Sequence, residues 1–216
     1  KKVWDQVYSR KQAILQYPNE NFVRICHSFL EEKDHKVLDW GFGSGNNLLH
    51  LLKLGKQVYG LEISNEAVKI AEDRIKSENL PETELSIISE NQTSFPNDFF
   101  DVVVAWQSIY YNTYEEFITT LTDIIRILKP GGKLIVTVVR KEDSIYNYSD
   151  KIGDQTYKIS SRFPSQEGSV IFIPDNKEKV ISLFERFNQI QVGYFEQKLT
   201  DFRGSHWVIT GRKNDC

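Results

Sequence analysis

The stretch Val37-Leu38-Asp39-Trp40-Gly41-Phe42-Gly43-Ser44-Gly45-Asn46-Asn47 decides how the rest of the chain is read. Val37 and Leu38 continue an apolar run of the kind a buried parallel strand needs, three alternate glycines follow, and Asn46 to Leu54 reads as a helix. Strand, glycine turn and helix in that order build a pocket, because glycine turns tightly and lets the backbone come close to a ligand. A side chain at Gly41, Gly43 or Gly45 is expected to block that ligand. At the close of the next apolar run, Val58-Tyr59-Gly60-Leu61-Glu62, an acidic side chain stands where it can accept both hydroxyls of a ribose. A bound nucleoside is the first expectation.

Glycine spacing narrows the choice. A dinucleotide site needs G-x-G-x-x-G, whose third glycine eases helix packing and whose helix N-terminus faces a pyrophosphate. Here Asn46 holds the place of that third glycine. The D-x-G-x-G-x-G run from Asp39 to Gly45 instead resembles motif I of the class I S-adenosylmethionine-dependent methyltransferases, in which the loop wraps the methionine moiety. Further landmarks of that family follow in order. Glu62 matches its ribose-binding acid, with Ile63 next to it against the adenine face. Glu90 and Asn91, after a third strand near Glu84 to Ser89, match the adenine-amine site. Phe95 to Tyr111 resembles the family's turn, fourth strand and catalytic-loop entry, and Leu128 to Val139 its Pro-Gly-Gly turn and fifth strand. The resemblance covers Val37 to Val139. It implies an α/β, Rossmann-like sheet, mostly parallel with a C-terminal antiparallel hairpin, helices on both faces, and S-adenosylmethionine held by Asp39, Trp40, Gly41, Gly43, Gly45, Asn46, Glu62, Ile63, Glu90, Asn91 and Trp106.

The 216 residues fit one such domain. Its expected parts are an N-terminal helical cap (1–33), a cofactor-binding core (34–139), a lid-like insertion (140–175) and a closing helix and hairpin (176–216). Net charge is −3 and Lys and Arg are scattered, which argues against a nucleic-acid partner. Cys26 and Cys216 have no partner spacing for a disulfide framework or a zinc site, so a cytoplasmic location is expected. No apolar run approaches the roughly 18 residues of a membrane span, and residues 1–12 lack a signal-peptide core. The chain opens on Lys1, so a trimmed or longer natural start is expected.

Periodicity supplies the remaining elements. Val3, Trp4, Val7 and Tyr8, then Phe22, Val23, Ile25, Cys26, Phe29 and Leu30, mark two leader helices on either side of a break at Tyr17-Pro18, the second covering the sheet. A helix is predicted over Asn65 to Glu78 with Ser64 as N-cap, a strand over Asp101 to Trp106, and a helix over Tyr114 to Leu128. From Arg140 to Pro174 periodicity fades, and only Ser169 to Ile173 reads as a strand. A helix near Asn176 to Phe187 and strands over Ile190 to Leu199 and His206 to Arg212 close the chain.

Ligands of an open α/β sheet lie beyond the carboxyl ends of its strands. That rule gathers the acceptor-side candidates. Methyl transfer from a sulfonium is downhill, so alignment supplies much of the rate, but an alcohol acceptor must lose a proton. His206 is the histidine favoured as base, with Tyr110 and Tyr111 positioning the acceptor. Arg140 and Arg203 are expected to clamp a phosphate or carboxylate on it, and Tyr17 to close over it. Trp4 is read as core. The residues after strand four, Ala105-Trp106-Gln107-Ser108, lack the Pro-Pro-Tyr pattern of adenine and glutamine methylation, neither cysteine follows a proline, and Trp106 to Tyr111 offers no carboxylates for a metal. The expected activity is metal-independent O- or N-methylation of a small polar metabolite, with a sugar or a phosphate-bearing molecule as acceptor. The alternatives are a noncatalytic S-adenosylmethionine-binding protein and an aminopropyltransferase.

Overall fold

A computed structural model describes residues 2–10, 14–88, 92–198 and 200–214. Helix α1 (Lys2–Ser9) and helix α2 (Glu20–Phe29) precede strand β1 (Lys36–Trp40). There follow α3 (Asn46–Lys53), β2 (Gln57–Glu62), α4 (Asn65–Ser77), β3 (Glu84–Ile87), β4 (Phe100–Ala105), α5 (Tyr114–Ile127) and β5 (Leu128–Val139). The remainder holds α6 (Ser144–Asn147), β6 (Ser149–Gly153), β7 (Thr156–Ile159), β8 (Val170–Phe172), α7 (Lys177–Leu183), β9 (Phe187–Lys198) and β10 (Arg203–Lys213). Seven strands form one sheet in the order β3-β2-β1-β4-β5-β10-β9. The first five run parallel, β10 pairs antiparallel with β5, and β9 antiparallel with β10. This is the mostly parallel sheet with a closing hairpin that the glycine motif implied.

Local chemistry starts the helices where the pattern predicted. Ser64 Oγ accepts the Ala67 N–H at the start of α4, and Thr113 and Glu116 form a reciprocal capping box on α5. Strand order reverses at β1, which pairs β2 on one side and β4 on the other, so the crevice at its carboxyl end is the ligand position for this topology.

Two cores lie on opposite faces of the sheet. On one, Phe22 and Cys26 of α2 and Leu48 and Leu51 of α3 pack on Val37, Val58 and Val104. On the other, Phe117, Leu121 and Ile124 of α5 meet Leu134 and Val136, and Phe184 joins them. At the end of the sheet remote from that crevice, Lys133 is fully buried, with Nζ 2.5 Å from Asp34 and 2.9 Å from Glu31.

The segment after β5 departs from the sequence reading. In place of one short strand, β6, β7 and β8 form a separate three-stranded antiparallel sheet. Its inward side chains, Tyr157, Ile159, Ile171 and Phe172, extend the second core. Among the described residues no helix is long and apolar enough to cross a membrane.

Candidate functional site

The glycine turn after β1 and the acid that ends β2 are bound to each other. Glu62 is buried, and its carboxylate accepts three backbone N–H groups: Gly43 at 2.9 Å, Ile63 at 2.8 Å and Ser64 at 3.0 Å. Burial raises its pKa, an effect these three donors oppose. A carboxylate has about four lone-pair sites, so one, on Oε2, is left for a donor from the cavity it lines. That cavity, of about 710 Å³ and open to solvent, is walled by Ile63, Ile88 and Ile109 beside Trp40, Gly41 and Glu62.

Gly41, Gly43 and Gly45 all have positive φ, of 76°, 57° and 84°. The sequence reading gave them a tight turn, which these angles fit, and a ligand's space to keep clear; the structure adds a close protein neighbour for each. A Cβ on Gly41 would come within 2.3 Å of Ser108 Cβ, one on Gly43 within 2.5 Å of the Tyr8 hydroxyl, and one on Gly45 within 3.1 Å of Ala71. Protein would be struck first. Ser108 Oγ also donates to the Trp40 carbonyl at 2.5 Å, joining the turn after β4 to the turn after β1.

A second cavity, of about 1250 Å³, continues along the carboxyl edge and shares Gly41, Gln107 and Tyr111 with the first. Asp39 lies at its inner end, buried, with no hydrogen-bond partner for Oδ2. Burial, with a further contribution from Glu62, raises its pKa to about 8. Across the cavity the Tyr110 hydroxyl and His206 Nε2 are 3.0 Å apart, and both side chains are buried. Desolvation lowers the His206 pKa to about 4, so the ring is neutral at pH 7 and Nε2 can accept the phenol proton. Asp143 Oδ2 lies 3.8 Å from His206 Nδ1, beyond hydrogen-bond range. Two backbone N–H groups fix that carboxylate, Ile145 at 2.9 Å and Ser205 at 2.6 Å.

The leader covers both cavities. Trp4 and Tyr8 of α1 line each of them, which corrects the reading of Trp4 as core, and Trp4 meets Tyr111 edge-on at 4.7 Å. Asp5 accepts the Ser64 hydroxyl at 2.7 Å. Arg74 of α4 donates to the carbonyls of Leu15 at 3.0 Å, Gln16 at 2.8 Å and Ser44 at 2.8 Å, so one guanidinium ties the leader to the glycine turn.

Known proteins resemble this chain in sequence and fold. A family model described as a methyltransferase domain matches residues 37–132. An uncharacterised methyltransferase of Oceanobacillus iheyensis is 24% identical over 215 residues, 98% of this chain and 92% of that protein. Residues 37–132 carry a methyltransferase domain, and the chain is similar to methyltransferases along nearly its whole length. An uncharacterised methyltransferase of Alkaliphilus oremlandii is 29% identical over 144 residues, 66% of this chain but only 60% of that protein. Among solved structures, a methyltransferase of Methanosarcina mazei superposes with a TM-score of 0.72 at 22% identity, over 88% of this chain and 97% of that one, a likeness of fold. The methyltransferase domain implies S-adenosylmethionine as the cofactor of this site. The residues present suit such a group: a buried carboxyl with an unpartnered oxygen at Asp39, which a positive charge would ionise, and a pre-oriented carboxylate at Glu62 with one site free for a hydroxyl donor.

Not every residue expected in the methyltransferase's site is there. Asn46 and Trp106 line the larger cavity, and Trp106 mainly fills space, stacked on Phe195 at 5.6 Å and edge-on to Phe22 at 5.4 Å. Gly45 lines neither cavity and serves helix packing. Arg140 is a correction: its guanidinium lies over Tyr194 at 4.1 Å and Trp207 at 4.7 Å and donates to Ser205 Oγ, away from both cavities. Arg203 is another, facing Glu196 at 3.8 Å. Tyr17 is 75% exposed and reaches neither cavity. Glu90 and Asn91 lie outside the described residues. Sequence reasoning took in Gln107 and Ser108 only as part of the run Trp106 to Tyr111 after strand four, and it missed Asp143. Asp143 carried one signal, its position two residues before Ile145, where it caps α6.

Proposed function

We propose that this methyltransferase methylates an oxygen or nitrogen of a small molecule held in the larger cavity, and that His206 takes the acceptor's proton. The observation that carries the reading is the buried Tyr110–His206 pair at 3.0 Å in the same cavity as Asp39 and the glycine turn. S-Adenosylmethionine supplies an electrophilic methyl carbon when bound. Glu62 would hold a ribose hydroxyl, Ile63 and Ile88 the adenine faces, Gly41 and Gly43 the methionine part, and Asp39 its positive charge.

His206 is neutral at pH 7 and has a lone pair to receive a proton, while Tyr110 and Tyr111 orient the acceptor. An imidazolium formed there would face the Asp143 carboxylate. On this reading residues 1–33 and 140–175 exclude water from a core at 34–139, and 176–216 completes the acceptor wall. No phosphate or carboxylate clamp is retained, because Arg140 and Arg203 are engaged with Tyr194, Trp207 and Glu196.

The test is calorimetric binding of S-adenosylhomocysteine together with turnover over an acceptor panel, for wild type, His206→Asn and Tyr110→Phe. Retained product affinity with kcat reduced by about 10²- to 10⁴-fold in His206→Asn supports the assignment. Unchanged kcat in both variants removes it, and binding without turnover of any acceptor favours a noncatalytic role.

A further inference from the structure

The larger cavity has an asymmetric chemistry. Among its described lining residues are two acids, Asp39 and Asp143, and no lysine or arginine, and burial keeps His206 neutral at pH 7. An anionic acceptor entering there would lose its water without gaining a counter-charge from the protein, an unfavourable exchange. The outer wall is aromatic. Phe163, from the segment after β7, and Phe202, from the turn before β10, stack at 5.3 Å and 23°. Tyr148 backs Phe163 at 6.1 Å and 12° without lining the cavity. Phe202 is 36% exposed, an apolar ring left partly uncovered at the rim. The polar side chains beside this wall, Gln166 and Gln197, are neutral amides.

From this pairing we propose, resting on the methyl-transfer reading above, that the acceptor is an uncharged aromatic alcohol. Its ring lies against Phe163 and Phe202, and its hydroxyl reaches His206 and Tyr110. The acceptor oxygen forms its bond to the methyl carbon as the carbon–sulfur bond breaks, and that bond's electron pair stays on sulfur. The acceptor proton passes to the Tyr110 oxygen as the phenol proton passes to His206 Nε2. Offset or edge contacts with two aromatic rings select flat acceptors, and a lining without lysine or arginine among the described residues selects against phosphates and carboxylates of the same shape.

Calorimetry tests this with matched probes. S-Adenosylhomocysteine is titrated first, and 2-naphthol or 2-naphthyl phosphate is then added to the saturated protein. The expected result is naphthol binding with the phosphate at least ~10-fold weaker. Phe202→Ala is expected to weaken naphthol by ~10-fold and leave S-adenosylhomocysteine affinity unchanged, and Gln197→Lys to strengthen binding of the phosphate. Naphthol failing to bind the saturated protein, the phosphate binding as tightly, or Phe202→Ala leaving naphthol unchanged overturns the inference alone. Absence of S-adenosylhomocysteine binding removes the functional reading and this inference with it.

Discussion

Replacing Asp39 with asparagine isolates the electrostatics of the cofactor pocket. Asp39 is buried with an unpartnered oxygen, and its pKa stands at about 8 against an ordinary 3.8. At pH 7 about nine-tenths of the ligand-free molecules therefore carry the proton. A bound positive charge nearby lowers a carboxylate pKa by about 1–3 units. With a drop of ~2 units, cofactor binding releases roughly 0.8 proton per site, and at pH 7 the same interaction contributes about 1.4 kcal/mol to binding once that proton release is counted. Titration of S-adenosylmethionine at pH 7 in buffers of different ionisation heat reads that proton directly. Asp39→Asn is expected to abolish the buffer dependence and to weaken binding by about 10- to 100-fold. Stability provides an independent reading. Because the folded pKa is raised, the stability that protonation contributes is complete below pH ~4 and is lost as pH rises through ~8, by about 4 kcal/mol at pH 7. Asp39→Asn flattens that slope. Equal buffer dependence in wild type and variant would refute the reasoning, since Asp39 would then be ionised before the cofactor arrives.

Three further outcomes can be checked. Asp34→Asn leaves the buried Lys133 with Glu31 alone and is expected to cost about 3 kcal/mol in urea unfolding, with S-adenosylhomocysteine affinity unchanged. Arg74→Ala removes three hydrogen bonds to backbone carbonyls, so hydrogen exchange in the leader and dissociation of S-adenosylhomocysteine are expected to quicken by about 10- to 100-fold. Burial holds the His206 pKa at about 4, below its ordinary 6.5. Stability is therefore expected to fall by about 3 kcal/mol as pH drops from ~6.5 to ~4, and thermal melts of His206→Gln should lack that loss.

The cofactor half was legible because its information is local. The glycine turn, Glu62 and the Ser64 and Thr113 caps each declare their structure within a few residues, and strand–helix alternation orders the parallel sheet. The acceptor half depends on register, which a single strand does not declare. Arg140 follows β5 as the topology rule requires, but the pairing of Trp207 with Val138 and with Tyr194 brings two rings under its guanidinium. The small sheet after β5 was illegible for another reason. Asp150 to Gly153 of β6 are all exposed, so that strand needs no alternation of apolar and polar residues. Tyr110 and His206 were named from the sequence, but their contact spans 96 residues and depends on the hairpin closing beside β5.

The hydrogen bond of Ser108 to Trp40, and its close approach to Gly41, tie the turn after β4 to the turn after β1. One turn faces the cofactor's place, and the other leads within two residues to Tyr110. A displacement of the glycine turn on loading is therefore transmitted to the phenol that meets His206. Loaded and spent forms would then present different acceptor walls. By thermodynamic reciprocity, an acceptor that favours the loaded wall tightens the cofactor's hold by the same factor, which gives the catalytic cycle a preferred order of entry and departure.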